Sequence, residues 1–223
     1  MISSKLPQFL IFGHRGSPGR FPENTIASFE DALASGADGF ETDLRLLCDE
    51  TSVLFHDHDV VETLTSNECP DLARVGDLAR FAGRTTMILE VKRRGWERVL
   101  VDIVRDWPQI VIASFDHYVL ANVREHHPTV PLGITMYGAM VNVGAYAASL
   151  GATWCFPNYH YVDAEMVASL HAHDVRVVPY TPNLVREWEA LRAVGCDGVI
   201  TDLAGEAVEW RDEGRRQKAE GRS

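Results

Sequence analysis

Short apolar runs alternate with helix-length amphipathic stretches along nearly the whole chain, and no other feature constrains its fold as tightly. Residues 9–12, 39–46, 53–55, 87–91, 110–113, 132–136, 153–156, 176–178 and 198–200 read as strands. Helical periodicity marks 25–35, 96–107, 117–126, 143–150, 164–173, 184–194 and 204–212. The first helix can be capped by Asn24 or Thr25 and is closed by Gly36, with Ile26, Phe29 and Leu33 on one face. A short helix over 75–81 interrupts an otherwise polar, weakly patterned stretch from 60 to 83. The runs 39–46 and 53–55 read either as the arms of a hairpin or as a barrel strand and a strand from its loop.

About eight strand–helix units with short connections build a parallel sheet. Both an open doubly wound sheet and a (β/α)8 TIM barrel satisfy that pattern. The count favours the barrel, and so does the position of the polar residues. His14, Glu41, Asp43, Glu90, Lys92, Ser114, Tyr180 and the pair Thr201-Asp202 all fall at C-terminal ends of strand-like runs. Barrel enzymes place their chemistry at that face. The 223 residues are slightly fewer than the usual total of about 250, which implies trimmed loops. We expect one domain over residues 1–210 and a charged tail, Arg211 to Ser223, that frays. No linker and no internal repeat is evident in the sequence.

Strand side chains two residues apart share a face, so Glu41 and Asp43 project side by side. Adjacent carboxylates repel unless something positive lies between them. Glu90 sits within the apolar run MILEVK, where an unpaired carboxylate is costly. A divalent cation held by Glu41, Asp43 and Glu90 answers both problems, and oxygen ligands favour magnesium or calcium. A Glu90–Lys92 ion pair and a solvated acidic edge are the plain alternatives. His14 and His56 each end an apolar run and flank the acidic pair, which suits a two-step proton transfer near neutral pH. Arg15 and Lys92 are the cations for phosphate oxygens. Glu23 is read as a helix cap or an orienting neighbour, and His58 as a solvated loop residue. His126, His127, His160, His171 and His173 show no partner pattern and are read as structural or surface groups.

The motifs His14-Arg15, Pro22-Glu23-Asn24-Thr25, Glu41-Thr42-Asp43 and His56-Asp57 stand in the order and spacing of one known family. The stretch resembles the glycerophosphodiester phosphodiesterases. The match is densest over the first quarter and thins toward Asp202. Ser114-Phe115 fits a Ser-Phe at a barrel strand, and Gly195 to Asp202 fits the closing Gly-Val-Asp-Gly-Ile-Ile-Thr-Asp, without the usual following proline. Pro179 to Asn183 is similar to the family's Trp-Thr-Val-Asn, with Tyr180 in place of tryptophan as a substrate contact. Leu47 replaces a common threonine, Asp49-Glu50 a common Asp-Gly, and the segment after His56 is short. The resemblance implies the same barrel, a cation bound through Glu41, Asp43 and Glu90, and acid/base roles for His14 and His56. It leaves headgroup preference open.

Charge excludes several other classes. Lysines and arginines number 21 against 32 acidic residues, a net −11, with no basic cluster before the tail. That argues against nucleic acid and against anionic membranes. No apolar run is long enough to span a bilayer, and the N-terminus has too short an apolar core for a secretory signal. Cys48, Cys69, Cys155 and Cys196 are scattered without a CxxC pair, which speaks against zinc and for a reduced, cytoplasmic chain. The expected function is metal-dependent hydrolysis of a small glycerophosphodiester to glycerol 3-phosphate and an alcohol. A lysophospholipase D acting on acylated substrates would need an apolar groove at the mouth. A non-catalytic organophosphate-binding barrel would have no use for two histidines.

Overall fold

The computed structural model describes residues 9–57 and 60–220. Among the described residues nine strands run as β1 (Leu10–Gly13), β2 (Gly39–Leu46), β3 (Ser52–Leu54), β4 (Thr86–Val91), β5 (Ile110–Ser114), β6 (Leu132–Met136), β7 (Trp154–Pro157), β8 (Arg176–Val177) and β9 (Gly198–Thr201). The helices are α1 (Ile26–Ala34), α2 (Glu97–Val104), α3 (His117–His126), α4 (Val143–Ser149), α5 (Ala164–His171), α6 (Val185–Ala193) and α7 (Ala204–Glu220). Eight strands pair in parallel in the order β8-β7-β6-β5-β4-β2-β1-β9. Ile200 donates its N–H to the Pro179 carbonyl at 2.8 Å and Asp197 to that of Val177 at 2.9 Å, bringing β9 against β8 and closing the ring. The result is a (β/α)8 barrel. Both readings of 39–46 and 53–55 hold: β3 pairs antiparallel with the end of β2 as the second arm of a hairpin, and only β2 belongs to the ring.

Alternation along the strands explains which residues enter the barrel. In β4, Met87, Leu89 and Val91 face the helices, whereas Ile88 lies in the interior cluster. The period of two then turns Glu90 inward at the mouth. In β2, Phe40 and Leu44 pack outward, so Glu41 and Asp43 point in. Phe12 and Ile200 fill the interior with Ile88, Val111, Ala113 and Phe156, and the same parity carries His14 and Asp202 to the rim. Gly39 is required by the packing, since a Cβ there would meet the Thr86 carbonyl oxygen at 2.0 Å.

Helix α7 runs to Glu220 rather than ending near Asp212, so the expected fraying does not begin at Arg211. The sequence pattern missed this because the helix is polar after Trp210. Arg211 is instead buried, and it donates to Asp38 Oδ2 at 2.6 Å while approaching the carbonyls of Gly36 and Phe9. Asp38 Oδ2 also accepts the N–H of Ile11 at 2.9 Å, so the ion pair ties α7 to the floor of the barrel. Arg211→Leu is expected to lower unfolding stability by about 1–3 kcal/mol, the usual cost of a charged, partly buried hydrogen bond. Urea denaturation would check this, and an unchanged midpoint would make the contact incidental.

Candidate active site

All the residues expected to form a site meet in one place. His14, Arg15, Glu41, Asp43, His56, Glu90, Lys92 and Tyr180 line a single cavity of about 200 Å³ at the C-terminal mouth of the barrel. His58 lies outside the described residues. Glu41, Asp43 and Glu90 are buried and each offers an oxygen within 4.8 Å of the others. Among the described residues no other group of three histidine, cysteine or acidic side chains converges in this way.

Three carboxylates face two cations. The Lys92 ammonium lies 2.7 Å from Asp43 Oδ1 and bonds Glu90 Oε1. Arg15 places Nε 3.1 Å from Asp43 Oδ2, out of line for a hydrogen bond, and spends Nη1 on Glu23 at 2.9 and 3.0 Å. Glu23 therefore orients Arg15 and does not cap the helix. Thr25 supplies the cap, accepting the N–H of Ser28. The charge balance shows in the acidities. Burial, then the charges of Asp43 and Glu90, push Glu41 well above the ordinary carboxylate range. Burial also raises Glu90 despite Lys92. For Asp43, burial is outweighed by Lys92 and Arg15, which hold it below its usual value. Burial disfavours the Lys92 ammonium, but Glu90, Asp43 and Glu41 more than offset it and raise its pKa. A divalent cation fits the negative surplus, and the all-carboxylate donor set is the kind magnesium and calcium take. The Lys92 ion pair foreseen as an alternative is also present, so the lysine neutralises part of the triad without completing it.

Both histidines have one ring nitrogen tied to a carboxylate. His14 Nδ1 lies 2.7 Å from Asp202 Oδ1, and its Nε2 faces Glu41 Oε2 at 4.0 Å. His56 Nδ1 lies 2.9 Å from Asp57 Oδ1. An ionised carboxylate only accepts, so each Nδ1 carries the proton and Nε2 is left for other work. His14 leaves β1 on a tight turn. Arg15 has φ 51° and Gly16 φ 91°, and a Cβ on Gly16 would meet Ser28 Oγ at 2.3 Å. His56 is anchored by its backbone, because the almost fully buried Arg45 donates from Nε at 3.0 Å and Nη2 at 2.7 Å to its carbonyl. Arg45 is held in turn by Glu62 at 2.6 Å.

The sequence reading missed the residues that hold the site. Asn24 accepts on Oδ1 from Thr42 Oγ1 at 2.7 Å and from the Asp43 N–H at 3.2 Å, and donates from Nδ2 to Asp43 Oδ2 at 2.9 Å. Asn183 repeats this pattern on β9: it accepts from Thr201 Oγ1 at 2.9 Å and the Asp202 N–H at 3.0 Å, and donates to Asp202 Oδ2 at 2.6 Å. Burial would raise Asp202, but the hydrogen bonds from His14 and Asn183 hold it low. The shared signal is a Thr-Asp pair on a strand run, Thr42-Asp43 and Thr201-Asp202, with an asparagine shortly after a proline, two residues after Pro22 and one after Pro182. Tyr180 is half-buried, donates weakly to the Met136 carbonyl at 3.3 Å and meets Phe115 edge-on at 5.8 Å. His160 packs against Tyr159 outside the cavity.

A phosphodiester is anionic, and the alkoxide that leaves it needs a proton. A mouth with this layout of carboxylates, cations and half-tied histidines serves such a substrate, which makes the class a phosphoric diester hydrolase. Comparison then gives the family. Residues 14–99 and 85–206 match the model of the glycerophosphoryl diester phosphodiesterase family, and the chain belongs to it. It is 28% identical to a glycerophosphodiester phosphodiesterase of Caldanaerobacter subterraneus subsp. tengcongensis, over 86% of this chain and 93% of that one. A Bacillus altitudinis glycerophosphodiester phosphodiesterase is 27% identical, over 91% and 98%. Among solved structures, the Thermotoga maritima glycerophosphodiester phosphodiesterase superposes with a TM-score of 0.80 at 21% identity, covering 91% and 98%. An Oleispira antarctica phosphodiesterase in complex with the product sn-glycerol-3-phosphate gives 0.84 at 20%, covering 91% and 96%. At these identities the structural likeness speaks for the fold. No helix among the described residues is long and apolar enough to cross a membrane.

Proposed function

We propose that this enzyme hydrolyses small glycerophosphodiesters to glycerol 3-phosphate and an alcohol such as choline or ethanolamine, with a divalent cation. The observation that carries the reading is the buried triad of Glu41, Asp43 and Glu90 with a histidine on either side. Those three carboxylates would hold magnesium or calcium, and the ion would supply charge neutralisation at the phosphate oxygens. Arg15 and Lys92 add positive charge for the same oxygens, and Tyr180 lines the same cavity. His14, with Nδ1 fixed by Asp202, takes a proton on Nε2 from the attacking oxygen, either water, which gives glycerol 3-phosphate directly, or the substrate's own glycerol hydroxyl, which gives a cyclic phosphate that water then opens. His56 gives a proton to the departing alkoxide. The product in the Oleispira structure supports the substrate class. The scattered free cysteines support a cytoplasmic setting, and the net charge of −11 a small-molecule partner rather than nucleic acid.

Release of glycerol 3-phosphate from glycerophosphocholine and glycerophosphoethanolamine, with and without magnesium or calcium after chelation, tests the reading. Full turnover after verified metal removal would sink it. Lys92 offers a sharper check, because it touches two of the proposed ligands. Lys92→Met should lower kcat/KM by roughly 100-fold or more, as when a donor to a developing oxyanion is lost. If the variant loses thermal stability but keeps kcat/KM at saturating metal, Lys92 serves only to pair the carboxylates.

A further inference from the structure

The mouth of this barrel is unevenly dressed. Every large apolar or aromatic side chain exposed among the described residues stands in a connection leaving a strand, or in the first turn of the helix that follows. None lies at the opposite end of the barrel. The densest part follows β5, β6 and β7, with Phe115, Tyr137, Met140, Val141 and Tyr161. These side chains adjoin one another. Tyr137 and Tyr161 meet edge-on at 5.7 Å, and Met140, Val141 and Tyr161 line one shallow hollow. Phe115 and Tyr137 continue the surface into the catalytic cavity. Val141 is 88% and Tyr137 70% exposed, so the surface is open.

We propose that this apolar half of the rim seats on a zwitterionic lipid surface, with the cavity facing it. The composition of the patch suits an interface: aliphatic and thioether groups to enter the acyl boundary, and tyrosines whose rings and hydroxyls prefer the headgroup level. Charge selects the lipid. A chain with a net −11 is repelled by anionic headgroups and not by phosphatidylcholine. A second copy of the chain is a poorer occupant, because it would bring two such net charges together. The patch is continuous with the substrate cavity, so seating there aims the mouth at the lipid layer. The chemistry of the triad is not required for it.

The test is co-sedimentation of the full-length protein with phosphatidylcholine vesicles, and with vesicles in which phosphatidylserine replaces part of the phosphatidylcholine. Met140→Asp combined with Val141→Asp changes two exposed residues outside the catalytic machinery. The wild-type protein should sediment with phosphatidylcholine and less with the anionic vesicles. The double variant should bind at least about tenfold less while hydrolysing dissolved glycerophosphocholine at the wild-type rate. Absence of wild-type binding, undiminished binding of the variant, or a preference for anionic vesicles would each overturn the proposal. So would a dimer, seen by analytical ultracentrifugation, that the double variant abolishes. A protein that binds vesicles yet hydrolyses no glycerophosphodiester would defeat the proposed function and leave this inference standing.

Discussion

Glu41→Gln should move stability and activity in opposite directions. In metal-free protein, Glu41 is the triad member with no cation bonded to its side chain, facing only the Arg15 N–H at 3.1 Å and His14 at 4.0 Å. Its ionised form is buried beside two other carboxylates, and an uncompensated buried charge is destabilising. Neutralising it should raise the melting temperature of the chelated protein by about 2–4 °C, as expected of roughly 1 kcal/mol in a chain of this length. The same substitution removes one ligand. The rise in melting temperature on adding magnesium or calcium should shrink or vanish. Turnover should fall on the order of 1,000-fold, the equivalent of the several kcal/mol a bound cation supplies. Asp43→Asn is the control of opposite sign. Asp43 is paired to Lys92 and near Arg15, so its neutral replacement should lower metal-free stability. A destabilised Glu41→Gln whose melting temperature still climbs with metal would show that the triad is not the cation site.

The second large effect separates the histidines by leaving group. Choline-type alkoxides are poor leaving groups and need protonation as the bond to phosphorus breaks, whereas a nitrophenolate departs unaided. Replacing the general acid should cost a natural diester about 100–10,000-fold, the range of general acid–base catalysis, and a nitrophenyl phosphodiester far less. Replacing the general base should cost both alike. His56→Ala is expected to show the first pattern and His14→Ala the second. Asp202→Asn should approach the loss seen with His14→Ala, since it releases the proton held on Nδ1. Equal losses for both histidine variants on both substrates would reject the division of proton transfers. An inverted pattern would keep the chemistry and exchange the roles.

What the sequence disclosed depended on whether the signal was local. Glu41, Asp43 and Glu90 were legible because strand parity is local: two residues apart means one face, and a carboxylate in an apolar strand demands a partner. The (β/α)8 class was legible for the same reason, through repeated alternation. Long-range contacts left no such trace. Asp202 lies 188 residues from the His14 ring it orients, and Arg211 lies 173 from Asp38. Arg211 read as part of a charged tail because nothing near it in the chain reveals the half-buried carboxylate of Asp38. Arg45 carries no local sign of a role, yet its guanidinium holds the carbonyl of His56. For Glu23 the sequence left a helix cap and an orienting neighbour both open, because it adjoins a helix start; with Asn24 at φ 56° in that turn, Glu23 meets Arg15.

The paired asparagine brackets on β2 and β9 bear on how this mouth can change over generations. Strand β1 lies between them, so its His14 and Arg15 emerge between two aspartates, each bound by an asparagine amide whose own oxygen is held by a threonine hydroxyl and the aspartate's backbone N–H. Asn24, Thr42 and Asp43 are buried, so none of the three can be exchanged singly for an apolar residue without stranding a buried polar atom, which closes that side of the mouth to gradual drift. The rim beyond β5, β6 and β7 has no comparable bracing: Tyr137 and Val141 stand largely in solvent. Heritable variation is therefore channelled to one half of the opening. Descendants of this chain can acquire new tastes in what they attach to, or in what group they release, while inheriting the cleavage step unaltered.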